Sequence, residues 1–150
     1  MPEGPGELNP AIAGIYNATK AALEFSLQKT LAEGNLSKAN TNTNYNFARG
    51  NVVRQEPQRF QANRNAANSQ GLAESGVLAQ TQQRQAAGFN QQLGGLAQQR
   101  AQAVQRITSG EQNAKTAQSI GEIGNLANAK KEQLDYELAN PRPPAEATPS

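Results

Sequence analysis

The sequence predicts an all-α protein, and three observations carry that reading. Apolar residues recur at steps of three or four over long stretches, no segment reads as a convincing strand, and Pro and Gly gather at the ends and near the centre. The expected architecture is an antiparallel hairpin of long helices with an additional N-terminal helix and extended Pro-rich termini, stable only in an assembly. The expected division is an extended N-terminal arm over 1–9, an elongated helical region over 10–139 with a turn near 71–76 and either a break near 109 or continuity through it, and a Pro-rich tail over 140–150.

The first helix has a clear start. Asn9 suits the N-cap and Pro10 the first helical position, where no donor is needed. From there Ile12, Ile15, Leu23, Leu27 and Leu31 form one stripe, and Gly34 reads as the residue that ends the helix, giving 10–33. The stripe reads as a packing seam. A membrane-active face is the sharper alternative, but the polar side mixes Lys20 and Lys29 with Glu24 and Glu33. Residues 35–46, rich in Asn and Thr, are expected to form a connector, because such side chains compete for backbone hydrogen bonds. A second helix is expected over 44–70, kinked or interrupted at Pro57.

Gly71, Leu72, Ser75 and Gly76 mark a hairpin turn, with Gly71 as a left-handed helix terminator and Ser75 as the next N-cap. Beyond it a seam runs through Leu78, Gln82, Ala86, Phe89, Leu93, Leu96, Arg100, Val104 and Ile107, and resumes at Ile120, Ile123, Ala127, Leu134 and Leu138. Ser109 with Gln112 fits a capping box, so 76–139 reads as one long helix or two meeting there. Gly88, Gly94, Gly95, Gly110, Gly121 and Gly124 imply close helix approach or bends, since each costs about 1 kcal/mol relative to Ala. Asn140-Pro141 ends the pattern.

Composition limits both stability and chemistry. Leu, Ile, Val and Phe number 12, 5, 4 and 4 of 150 residues. Together they fall below the roughly 20% under which a chain struggles to bury a core of its own. Gln and Asn, at 18 and 16, supply the polarity instead, with a net charge of only +2. With no Cys and no His, thiolate nucleophiles, imidazole bases and nearly all transition-metal sites are excluded. No catalytic residue, cofactor site or metal site is expected, and no stretch is apolar enough to form a stable membrane span. The acidic N-terminus lacks the apolar region of a secretion signal, so secretion is not expected. Glu132, Asp135 and Glu137 sit beside Lys130 and Lys131, where pairing along one helix is the ordinary reading.

Charge is segregated. Residues 38–106 carry eight basic and two acidic side chains, a local balance of +6. Arg49, Arg54, Arg59 and Arg64 recur every fifth residue, a step of about 140° that winds around a helix instead of lining one groove. With Arg84, Arg100 and Arg106 they are candidates for contact with partners. DNA contact through them would be unspecific, since no stacking platform or nucleic-acid motif accompanies the charge.

The stretch Asn68-Ser69-Gln70-Gly71-Leu72-Ala73-Glu74-Ser75-Gly76-Val77-Leu78, followed by Phe89-Asn90-Gln91-Gln92-Leu93-Gly94-Gly95-Leu96, resembles small Ala/Gln-rich helical virion proteins of tailed bacteriophages, of the internal (ejection) or tail and connector type. The resemblance covers roughly residues 60–107. It implies a non-enzymatic structural subunit made in the host cytoplasm and built into the virion, packing in many copies against itself and against portal, tail or internal core proteins. The Pro-rich ends would then be arms lying on neighbouring subunits. Two other classes fit the composition: a largely disordered stress-protectant or chaperone-like chain, and an accessory DNA-binding protein that uses the basic middle.

Overall fold

The computed structural model describes residues 6–71 and 76–141. Within them the chain forms two helices, α1 over Pro10–Ser69 and α2 over Gly76–Ala139, and no strand.

The start of α1 follows from local chemistry. The Asn9 side-chain oxygen accepts from the Ala11 amide at 2.9 Å, and the Asn9 carbonyl accepts from Ala13 at 2.8 Å. Pro10 then opens the helix.

The helix does not stop at Gly34, and residues 35–46 are not a connector. The separate N-terminal helix and the helix expected from 44 are one continuous element of 60 residues. The physical reason lies in the hydroxyls. Thr41 donates to the Ser37 carbonyl at 2.8 Å and Thr43 to the Ala39 carbonyl at 3.0 Å, so these side chains bond backward along their own helix. The half-buried positions Leu27, Leu31, Gly34, Lys38, Thr41, Tyr45, Ala48 and Val52 also keep a three-four spacing through the Asn/Thr-rich stretch. Pro57 lies inside α1 without interrupting it.

The end of α1 is a tight turn. Gly71 has φ of +70°, and its amide donates to the Asn68 carbonyl at 3.2 Å. That left-handed conformation is open to glycine at no steric cost. Leu72 and Ser75, and with them the expected cap, lie outside the described residues. Gly76 is the first residue of α2, which then runs unbroken through Ser109 and Gly110. Of the two readings of 76–139, one long helix or two meeting near Ser109, the structure takes the first, and Ser109 is an interior helical residue. At the far end the Asn140 amide and side-chain nitrogen both donate to the Tyr136 carbonyl, at 2.9 and 3.1 Å.

The chain divides into two compact units. The first joins Met1–Ala32 to Glu111–Ser150, and the second is Glu33–Gly110. In the first, Leu23 meets Gly121, the Asn125 side chain donates to the Tyr16 carbonyl at 3.0 Å, and the Asn9 amide donates to Gln133 Oε1 at 2.6 Å. These contacts advance along α2 as they recede along α1, so the helices pair antiparallel. In the second, Tyr45 meets Arg100, and Glu56 and Asn63 both meet Gln85, again antiparallel.

Burial is slight. Among the described residues only Ala67 and Ala129 are buried, and no large side chain is fully enclosed.

Candidate functional site

In the first unit the inward face of α1 presents Ile12, Tyr16, Leu23, Leu27 and Leu31, all half-buried. Opposite them α2 presents Gln118, Gly121, Asn125, Ala129 and Gln133. This surface is small or polar where an apolar ridge was expected. The absence of a side chain at Gly121 admits Leu23, whose Cδ2 would lie 3.0 Å from an added Cβ. A groove of about 350 Å³ lies alongside, bounded by Ile12, Ile15, Thr19, Gly124 and Asn128.

Two expectations for this unit are overturned. Ile15 is 62% exposed and does not belong to the inward seam. Ile120, Ile123, Leu134 and Leu138 point outward, at 65, 69, 55 and 72% exposure. The step that puts Gly121, Asn125 and Ala129 against α1 turns those four away from it. The glycine expectation is also narrowed. Gly121 makes a close helix contact, whereas Gly14, Gly88, Gly94, Gly95, Gly110 and Gly124 face open space.

In the second unit Phe89, Leu93, Leu96, Val104 and Ile107 are half-buried along the face toward α1. Polar residues interrupt that face, and two of them, Arg100 and Gln85, have partners on α1. The Arg100 guanidinium carbon sits 4.1 Å from the centroid of the Tyr45 ring, a cation–π arrangement that keeps the charge at a half-buried position. Arg100 is thus held inside the hairpin, which removes it from the exposed basic set. Gln85, not Ala86, occupies the seam. Its amide nitrogen donates to the Glu56 carbonyl at 3.3 Å and to Glu56 Oε1 at 3.2 Å, while its oxygen accepts from Asn63 at 2.5 Å. Sequence reading missed Tyr45, Glu56, Asn63 and Gln85 because residues 44–70 offer too few apolar side chains to define a stripe and Ala86 was placed on the seam in place of its neighbour Gln85. Their three-four and seven spacing with half-buried neighbours was the available signal.

Arg49, Arg54, Arg59, Arg64, Arg84 and Arg106 are exposed. Arg54 donates to the Gly50 carbonyl at 3.2 Å and to the Asn51 side chain at 2.9 Å, so its charge is not offset by these contacts. Near the end of α2, Gln133 donates to Glu137 at 3.1 Å, one turn along the same helix. Among the described residues no group of acidic side chains could hold a metal ion, and no helix is long and apolar enough to cross a membrane.

Each unit is therefore an antiparallel pair of helical segments with a mixed polar and apolar seam and large apolar side chains on its outside. No protein-family model, curated protein or solved structure matches the chain.

Proposed function

We propose that this chain is a non-enzymatic structural subunit of a tailed-phage particle, an internal (ejection) or tail and connector component that packs in many copies. One observation carries the reading. Two alanines are buried among the described residues, while Ile, Leu, Val and aromatic side chains at 12 positions are exposed. Such apolar surface is resolved by neighbours. The resemblance of residues 60–107 to helical virion proteins names what those neighbours would be: further copies, and portal, tail or internal core proteins.

Mass spectrometry of purified particles before and after genome release tests the proposal. Loss of the chain on release assigns it to ejection, and retention assigns it to a fixed tail or connector part. Absence from particles in both states overturns the virion reading.

A second reading is favoured by the exposed arginines of the second unit, which suit a phosphate backbone. As an accessory DNA-binding protein the chain would lose affinity steeply with salt, by about 0.9 in log K per log salt for each phosphate contacted. A flat salt dependence refutes it.

A further inference from the structure

The outward face of α2 between Ile120 and Leu138 has its larger side chains on the wrong side for a monomer. Over this stretch Gly121, Glu122, Asn125, Leu126, Ala129 and Gln133 are buried or half-buried, Leu126 being the one large apolar side chain among them, while Ile120, Ile123, Leu134 and Leu138 face solvent. At about 100° per residue, Ile120, Ile123, Ala127, Leu134 and Leu138 fall within a sector about 60° wide, centred opposite Asn125. Their steps of three, four, seven and four are those of a helix–helix seam. The stripe is also clear of α1, so its occupant must come from outside the hairpin.

We propose that this stripe is an intermolecular seam occupied by the same stripe of a second copy of the chain, running antiparallel. The proposal deepens the assembly reading above and rests on its requirement for neighbouring chains. A three-four pattern reads much the same in both directions, so a twofold axis near residue 129 brings the two stripes into mutual register. Ile120 then lies opposite Leu138 of the second copy, and Ile123 beside its Leu134. Ala127 leaves room for the aliphatic stem of Lys131 from the other chain, whose charged end reaches water. A parallel in-register pairing would instead set Lys131 against Lys131 and Asp135 against Asp135, like charge on like.

The area fits a second copy. The five apolar side chains of each stripe, at roughly 100 Å² or a little less apiece, bring the total to about 1,000 Å². That is the threshold for a specific contact, so the expected product is a weak dimer that gains strength in a larger array.

The test uses the full chain. Sedimentation velocity over a range of concentration is expected to show a reversible monomer–dimer equilibrium. The double variant I123E/L134E, at positions 69 and 55% exposed and so expected to keep its helicity by circular dichroism, is expected to weaken it at least about tenfold, a change of about 1.4 kcal/mol. The variant F25E, at a position of α1 that is 69% exposed, is expected to leave it unaltered. Because the chain has no Cys, single-cysteine forms report orientation. A mixture of I120C and L138C is expected to form the mixed disulfide under mild oxidation. A concentration dependence untouched by I123E/L134E, or preferential I120C–I120C cross-linking, overturns the proposal. Dimerisation through this face by a chain absent from particles would sink the virion reading and leave the interface standing. Incorporation of I123E/L134E into particles with an unchanged dimer equilibrium would do the reverse.

Discussion

Gly121 and Gly124 are one helical turn apart on α2, and replacing each with Ala separates helix propensity from packing. Glycine in a helix interior is worse than alanine by about 1 kcal/mol. At Gly124 an added Cβ meets nothing within 4 Å, so G124A is expected to raise stability by about 1 kcal/mol. At Gly121 the added Cβ would lie 3.0, 3.3 and 3.7 Å from Leu23 Cδ2, Cδ1 and Cγ. Leu23 must move, and overpacking of this kind costs about 1–3 kcal/mol. The net for G121A is therefore between neutral and about 2 kcal/mol destabilising, at least about 1 kcal/mol below G124A. Introducing L23A removes the obstructing atoms, and in that background G121A should recover the propensity gain of about 1 kcal/mol. Urea unfolding followed by circular dichroism, at one fixed protein concentration because assembly couples to stability, measures all four variants. If G121A stabilises as much as G124A, or if L23A leaves the difference between them unchanged, the close approach of the helices at Leu23 is refuted.

Pro57 sits in the interior of α1, where it removes one backbone bond, so P57A is expected to stabilise by up to about 3 kcal/mol, read as a higher urea midpoint at constant slope. Asn9→Ala removes the acceptor of the Ala11 amide and is expected to cost about 1 kcal/mol, while Asn9→Ser, which can still cap, should cost far less. The Arg100–Tyr45 contact predicts a coupling of about 0.5–1 kcal/mol in a double-mutant cycle of R100M and Y45L. Strict additivity of those two substitutions would show that the ring and the guanidinium do not interact.

The features that could be read from the residues alone are the ones decided over a few positions. Asn9-Pro10 and Asn140-Pro141 mark the outer ends of the helices because a capping acceptor and a missing donor act within one turn. The Asn/Thr-rich stretch shows where local reasoning failed. The Thr41 and Thr43 hydroxyls have two outlets, a turn or the carbonyl four residues back, and they take the second. A helix already propagating from both sides adds one bond for each residue it fixes, which favours continuation over a new break and a new nucleus. Gly34 does not end the helix for the same reason, and Ser109, where either outcome was open, does not break it: a residue that can end a helix does so only where the flanking chain has nothing to gain by continuing.

The all-helical class, the helix ends and the thin core were determined by the sequence itself, because propensity, capping and the supply of apolar side chains are properties of composition and short-range order. Which stripe of each helix faces the other was decided only in the tertiary structure. The C-terminal half of α2 carries two stripes at helical spacing, one through Gly121, Asn125 and Ala129 and one through Ile120, Ile123 and Leu134. By hydrophobicity the second would win. The antiparallel pairing selects the first, because small and amide side chains let Leu23 and the Tyr16 carbonyl approach α2 directly. The close approach of Leu23 to Gly121 and the hydrogen bond from Asn125 to Tyr16 join residues about a hundred positions apart, and no local pattern along the chain encodes that proximity.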